Sequence, residues 1–233
     1  LRYISSGGAP LDLAWKQKVE SFFGLSLFNG YGMTEATAGI AATRPGATRA
    51  DTSVGKMLTG QEVRIEQSGP DGVGEIIIRG PNIMAGYYRN PSETDLVLDS
   101  KGWLRTGDLG YLDDDGNLQI TGRARELIIR SGFNVYPLEV EAALNQHPHV
   151  VQAAVIGYSA HGNEEIVAFI QPLAGCTLAP GDLKLHLSER LAAYKHPTRW
   201  VMSDQLPAAP SGKILKARLA SVFADQLTSF ATD

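Results

Sequence analysis

Three groups of side chains in this sequence have the types and settings to act on an anionic, phosphate-bearing substrate. Thr34 and Glu35 follow Asn29-Gly30-Tyr31-Gly32-Met33. A threonine hydroxyl can donate to a phosphate oxygen, and a glutamate offers Mg2+ the hard oxygen it prefers. Glycines on either side of Tyr31 would bring backbone close to a bound group. The same order equally makes an ordinary strand-to-helix turn with a capping threonine. Asp108, in Thr106-Gly107-Asp108, can accept two hydrogen bonds from the vicinal hydroxyls of a ribose, with a plain turn aspartate as the alternative. Lys213 closes Leu206-Pro207-Ala208-Ala209-Pro210-Ser211-Gly212-Lys213, where two prolines and a glycine would hold it on a stiff, exposed loop. Displayed that way it serves as a phosphate clamp or as a solvated charge.

The elements that must hold these residues follow from periodicity. Arg2 to Ile4 reads as a strand that bends at Gly7-Gly8-Ala9-Pro10 into a helix with Leu11, Trp15, Val19 and Phe22 on one face and Gly24 at its end. Leu25 to Phe28 is a short buried strand ahead of the glycine loop, and strand, loop, helix is a ligand-binding order. From Val54 to Tyr88 the pattern is β, with Glu75 to Arg79 the clearest strand and Asn90-Pro91 opening a short helix ending near Leu96. Asp113 to Asn117 is a turn rather than a calcium loop, because Ala124 stands where the bidentate glutamate belongs.

At Gly122 an acidic, turn-rich stretch gives way to Arg123-Ala124-Arg125 and an apolar run, which places a domain junction there. Beyond it, Leu127 to Arg130 and Phe133 to Tyr136 pair as a hairpin across Ser131-Gly132. A helix starts at Pro137, with Val140, Ala143 and Leu144 on one face. Strands follow over Val150 to Gly157 and Ile166 to Gln171. Asp182 caps a helix bearing Leu183, Leu187, Leu191 and Tyr194, Trp200 to Met202 is a last strand, and Leu215, Leu219, Val222 and Phe223 mark a strongly amphipathic C-terminal helix. His147 and His149 end a helix rather than bind metal, and His161 is a surface loop residue.

Composition narrows the class. With 233 residues and 43% hydrophobic content, the chain can bury one good core or two small ones. A net charge of -4 with mixed signs argues against nucleic acid or an anionic membrane as the main partner. No apolar run approaches the eighteen or so residues of a transmembrane segment, and no signal-peptide pattern opens the chain. Cys176 is the only cysteine, a passive loop thiol that fits a reducing, cytoplasmic location. The chain starts on Leu1, apparently inside a strand, so an upstream segment is expected. Oligomeric state is not encoded in any of these features.

In order and wording, five stretches resemble the acyl-adenylate-forming enzymes, the family of acyl-CoA synthetases, peptide-synthetase adenylation domains and luciferases. They are GGAP at Gly7 to Pro10, YGMTEA at Tyr31 to Ala36, GWLRTGDLGY at Gly102 to Tyr111, GRARELIIRSGFNVYP at Gly122 to Pro137, and PSGK ending at Lys213. The resemblance implies an α/β and α+β fold. Residues 1–124 would be the end of a large N-terminal domain, an αβ layer plus a small β subdomain, and residues 125–233 a complete, mobile, small α+β C-terminal domain.

It also implies ATP (or AMP), Mg2+ and coenzyme A. Gly7, Gly8, Ala9, Pro10 and Tyr31 would line the adenine, with Gly32 beside them in the nucleotide site. Thr34 would touch the α-phosphate, Glu35 would hold Mg2+, and Asp108 and Arg123 would grip the ribose. Lys213 would meet the α-phosphate and the attacking carboxylate, Arg125 falls at the hinge, and Gly132 would border the pantetheine tunnel.

Two residues depart from the family's pattern: Arg125 stands where Asp or Lys is more usual, and Ile120 replaces an aromatic. The family's upstream phosphate loop has no counterpart here. The expectation is therefore the C-terminal part of an ATP-dependent carboxylic acid:CoA ligase, inactive alone. Its partners would be a small-molecule carboxylic acid, CoA and the missing N-terminal part. The alternatives are an adenylation domain loading a carrier protein and a non-catalytic nucleotide-binding or docking module.

Overall fold

The first strands set the frame for the site. β1 (Ile4–Gly7) and β2 (Leu27–Tyr31) run parallel, Ile4 opposite Leu27 and Gly7 opposite Gly30, with α1 (Leu13–Phe23) as the crossover between them. β3 (Ala41–Ala42) and β4 (Lys56–Met57) extend the sheet in the order β1-β2-β3-β4. Because the two strands are parallel, the segments leaving their C-terminal ends, Gly7 to Pro10 and Tyr31 to Glu35, emerge on the same edge, where open α/β sheets bind ligands. The structure is a computed structural model describing residues 1–46, 49–160, 163–210 and 212–229. His161 and Ser211 lie outside the described residues.

A second sheet is an antiparallel meander of β5 (Glu62–Glu66), β6 (Gly74–Arg79), β7 (Leu104–Leu112) and β8 (Leu118–Arg123). Ile76 and Ile78 alternate onto one face and share a core with Ile40, Leu104 and Leu118. Asn90 caps the short α2 (Pro91–Val97) that precedes β7. In the acidic turn, Asp113 accepts from the backbone N–H of Asp115 and Asn117 and pairs with Arg49, so its carboxylate works as a turn anchor.

The chain divides into two compact units, Leu1–Arg125 and Glu126–Asp233. In the second, β9 (Ile128–Arg130) and β10 (Phe133–Val135) form the hairpin. Ser131 (φ 50°) and Gly132 (φ 83°) both take positive φ, the two-residue turn whose twist matches antiparallel strands. The sheet that comes next has the order β11-β12-β13, from β11 (Val150–Ala160), β12 (Asn163–Pro172) and β13 (Arg199–Met202). Along β12, Ile166, Ala168 and Ile170 pack with Leu144 of α3 (Pro137–Asn145) and Leu183 of α4 (Pro180–Ser188). Val167 and Phe169 point the other way, onto Leu219 of α5 (Lys216–Val222) and Leu227 of α6 (Ala224–Ser229). A strand covered on both faces must be apolar throughout, and this one is over Ile166 to Ile170.

Several expectations need correction. Trp15 and Phe22 of α1 are 55% and 82% exposed, while Lys16 is the buried residue of that helix; its ammonium donates to the Arg49 carbonyl and pairs with Glu20. Asp12 caps α1, accepting the Trp15 N–H, so Pro10 lies ahead of the first turn. Asp182 is not the cap of α4: it sits in the first turn and accepts the N–H of Ala179, the residue at the cap. Helix α4 ends at Ser188, before Leu191 and Tyr194. The C-terminal helix is two helices, because Phe223 leaves helical geometry (φ -109°, ψ 27°). Leu219, Phe223 and Leu227 make its buried stripe, and Val222 faces outward.

Candidate functional site

Asp108 lies inside β7 rather than in a turn, directly across the ladder from Arg123 on β8. That register makes the pair meet: Arg123 Nε is 3.1 Å from Asp108 Oδ1. From the other sheet, the Tyr31 hydroxyl donates to Asp108 Oδ2 at 2.5 Å. Asp108 itself is only 6% exposed, and its N–H donates to the Thr106 hydroxyl, which donates on to the Ile76 carbonyl. Burial, followed by the neighbouring Asp108 carboxylate, holds the Tyr31 phenol far above its usual pKa. Tyr31 is therefore a fixed donor, and two donors from two strands aim one carboxylate.

Beside Tyr31 the chain turns sharply. Strand β2 runs through Asn29, Gly30 and Tyr31, so these residues are not a glycine loop, and the next element is a single 3-10 turn, Thr34–Ala36. Met33 stands at its cap without a side-chain bond, so Thr34 is not spent on capping. The close approach at Gly32 is to the chain itself: a Cβ there would lie 1.3 Å from the Ala38 carbonyl oxygen. Thr37 and Ala38 both take positive φ, an uncommon conformation for side-chain-bearing residues.

A strap formed by residues 82–87 holds this turn. Asn82 Nδ2 donates to the carbonyls of Ala36 (2.6 Å) and Gly39 (2.9 Å), and the Asn82 backbone carbonyl accepts from Thr37 Oγ1. The Met84 N–H donates to the Glu35 carbonyl, and the Tyr87 hydroxyl donates to Glu35 Oε1 at 2.9 Å. Burial and then this bond raise the Tyr87 pKa. Asn82 and Tyr87 are functional candidates that sequence reasoning misses, since nothing in the local pattern up to Tyr88 marks either one.

Among the described residues no cluster of three or more His, Cys, Asp or Glu side chains is placed to hold a metal. Glu35 fits Mg2+ as a lone protein carboxylate, the arrangement in which the ion is carried mainly by substrate phosphates and water. Gly7 ends β1, and Gly8, Ala9 and Pro10 continue beside it, all four exposed to solvent. Ile120 packs against the core of the first unit.

The remaining candidates belong elsewhere in the chain. Arg125 is exposed in a 3-10 turn, Ala124–Glu126. In the second unit Gly132 is exposed at the hairpin turn. Lys213 is exposed on a second, smaller hairpin closed by the Ala209 N–H to the Lys213 carbonyl, an Ala208 to Ile214 bridge and the Leu215 N–H to the Pro207 carbonyl.

The family described as AMP-binding enzyme covers residues 1–88, and the AMP-binding enzyme C-terminal domain covers residues 139–213. A sulfoacetate–CoA ligase of Cupriavidus necator is 38% identical over 94% of this chain and 44% of its own length. ATP-bound MatB from Rhodopseudomonas palustris superposes with a TM-score of 0.88 at 31% identity, over 96% of this chain and 46% of that one. The o-succinylbenzoate CoA synthetase of Bacillus subtilis, in complex with its acyl-adenylate intermediate, gives 0.84 at 36% identity, over 94% and 46%. The chain thus spans a little under half the length of the relatives it matches. It belongs to the AMP-binding, adenylate-forming enzyme family.

Proposed function

We propose that these residues are the C-terminal part of an AMP-forming carboxylic acid:CoA ligase, which activates a carboxylate as acyl-AMP and passes the acyl group to the CoA thiol. The observation that carries the reading is the buried Asp108 carboxylate, aimed by Arg123 and by Tyr31, the strand residue from which the Thr34–Glu35 turn also leaves.

In this scheme Asp108 accepts from the ribose hydroxyls, and Arg123 steadies it. Gly7 to Pro10, with Tyr31 and Gly32, borders the adenine. Thr34 donates to the α-phosphate, and Glu35, held by Tyr87, takes Mg2+. A carboxylate attacking a phosphate faces repulsion between anions, and Mg2+ supplies charge neutralisation at the phosphates. Lys213 supplies the second positive charge, at the α-phosphate and the attacking carboxylate. Arg125 is the hinge between residues 1–124 and a mobile unit of 125–233. Turning about it exchanges Lys213 for Gly132, which borders the pantetheine path. A single cysteine suits a reducing compartment such as the cytoplasm.

The test is nucleotide and thioester product analysis with a panel of carboxylic acids, ATP and CoA. The natural polypeptide carrying these residues should form AMP and pyrophosphate only when an acid is present, and acyl-CoA only when CoA is added. ADP formation, or turnover independent of acid, would refute the proposal. These 233 residues alone should be inactive, and robust turnover by them would overturn the assignment to one part of a longer enzyme.

A further inference from the structure

Glu141 of α3 is a buried carboxylate to which the scheme above gives no role. Its Oε1 accepts the Val155 N–H at 2.7 Å and pairs with Lys216 Nζ at 2.7 Å. The same ammonium donates to Glu126 Oε2 at 3.0 Å. Burial pushes the Glu141 carboxyl up, and the attraction of Lys216 opposes that push. A buried charge of this kind is retained at a cost and calls for a reason.

The three residues come from places that adenylation chemistry has to coordinate. Glu126 is the first residue of the second unit, next to Arg125. Glu141 sits in the core helix packed on β11. Lys216 opens α5, three residues after Lys213. Between them Ile214 packs against the core under α5, and the Leu215 N–H closes the small hairpin on Pro207. Through Lys216, the hairpin that displays Lys213 is tied both to the pivot end of its unit and to the core. An ammonium fits that task because it donates to two carboxylates at once.

We propose that Lys216 is a positioning residue for Lys213, with Glu126 and Glu141 as its two anchors. The inference rests on the adenylation reading. A purely structural brace would affect every activity of the second unit alike. A positioning role for Lys213 affects the half-reaction that uses Lys213 and leaves the other intact.

The experiment compares Lys216→Met, Glu126→Gln and Lys216→Arg in the natural polypeptide carrying these residues. Two readouts are taken: acid-dependent exchange of pyrophosphate into ATP, and thioester formation from supplied acyl-adenylate and CoA. For Lys216→Met and Glu126→Gln, exchange should fall about tenfold to a hundredfold, the loss expected when a reacting group is misplaced by about 1 Å. Thioester formation should stay within about twofold, and Lys216→Arg should restore most of the exchange. Glu126 is partly exposed, so Glu126→Gln keeps the test informative if Lys216→Met fails to fold. Equal losses in both half-reactions, or exchange unchanged in both variants while the unsubstituted protein exchanges normally, would overturn this inference alone. An unsubstituted protein that exchanges no pyrophosphate with any acid would instead remove the adenylation reading, and this inference with it.

Discussion

Gly32 and Tyr87 act close to Glu35, and each makes a prediction at the level of a single side chain. With the Ala38 carbonyl where a Cβ would sit, Gly32→Ala must push the turn out of place. It should lower stability by about 1–3 kcal/mol, as other overpacking substitutions do, measured by chemical denaturation; an unchanged midpoint would contradict the geometry. Tyr87→Phe keeps the ring and removes only the bond to Glu35. Partners of a metal-bound carboxylate typically matter by about 10- to 100-fold in metal affinity, so if Glu35 is the Mg2+ ligand proposed above, the Mg2+ concentration for half-maximal exchange should rise by about that factor. Mn2+ binding with a non-hydrolysable ATP analogue, read by EPR, should weaken in step. The sequence shows that glycines flank Tyr31, but not whether the close neighbour is a ligand or the chain's own carbonyl. Tyr87 was illegible for a related reason: it meets Glu35 across 52 positions of sequence, and no local pattern encodes such a contact. Asp108 stood out as a candidate hydroxyl acceptor from its own setting and Arg123 only through the family resemblance, whereas the Tyr31 bond to Asp108 could be read from neither, since their sheets are brought together only by the fold.

At the level of elements, β12 carries the second unit. Phe169 is fully buried and touches the ring of Phe223, with centroids 5.4 Å apart. Phe169→Ala should cost about 3–5 kcal/mol, seen as a large drop in the denaturation midpoint of that unit with α5 and α6 lost first. The junction of α3 and α4 makes a pH prediction. The His147 ring meets His149 and His186 edge-on. Burial, then the charges of His186 and His149, hold His147 below its usual pKa, with Asp182 opposing and Arg190 adding to the effect. The folded state therefore favours neutral His147, and the stability this gives is present above the unfolded value of about 6.5 and lost as pH falls through the lower folded value. Acidification should destabilise the wild type more than His147→Gln, read from denaturation midpoints on either side of that range. The elements themselves were largely legible, because the Ile166 to Ile170 run, the Ser131-Gly132 turn and Asn90-Pro91 each impose local geometry. Helix α1 was misjudged because its apolar stripe says which face prefers burial and not whether a neighbour is present to bury it.

For the whole molecule, two units with separate cores each carry part of a proposed single active centre: Tyr31, Thr34, Glu35, Asp108 and Arg123 in the first, Gly132 and Lys213 in the second. The family was legible from five motifs in order, since those stretches hold the glycines and charged residues that nucleotide chemistry demands. The identity of the acid in the proposed reaction is not legible, because no motif among these residues reads as an acyl pocket. In the proposed scheme Lys213 serves only the first of two half-reactions. The most direct test is Lys213→Ala in the natural polypeptide carrying these residues, assayed for pyrophosphate exchange and, separately, for thioester formation from supplied acyl-adenylate. Exchange should fall by about a hundredfold to a thousandfold, the cost of losing one donor at a developing charge, with thioester formation nearly unchanged; equal loss of both would contradict the account.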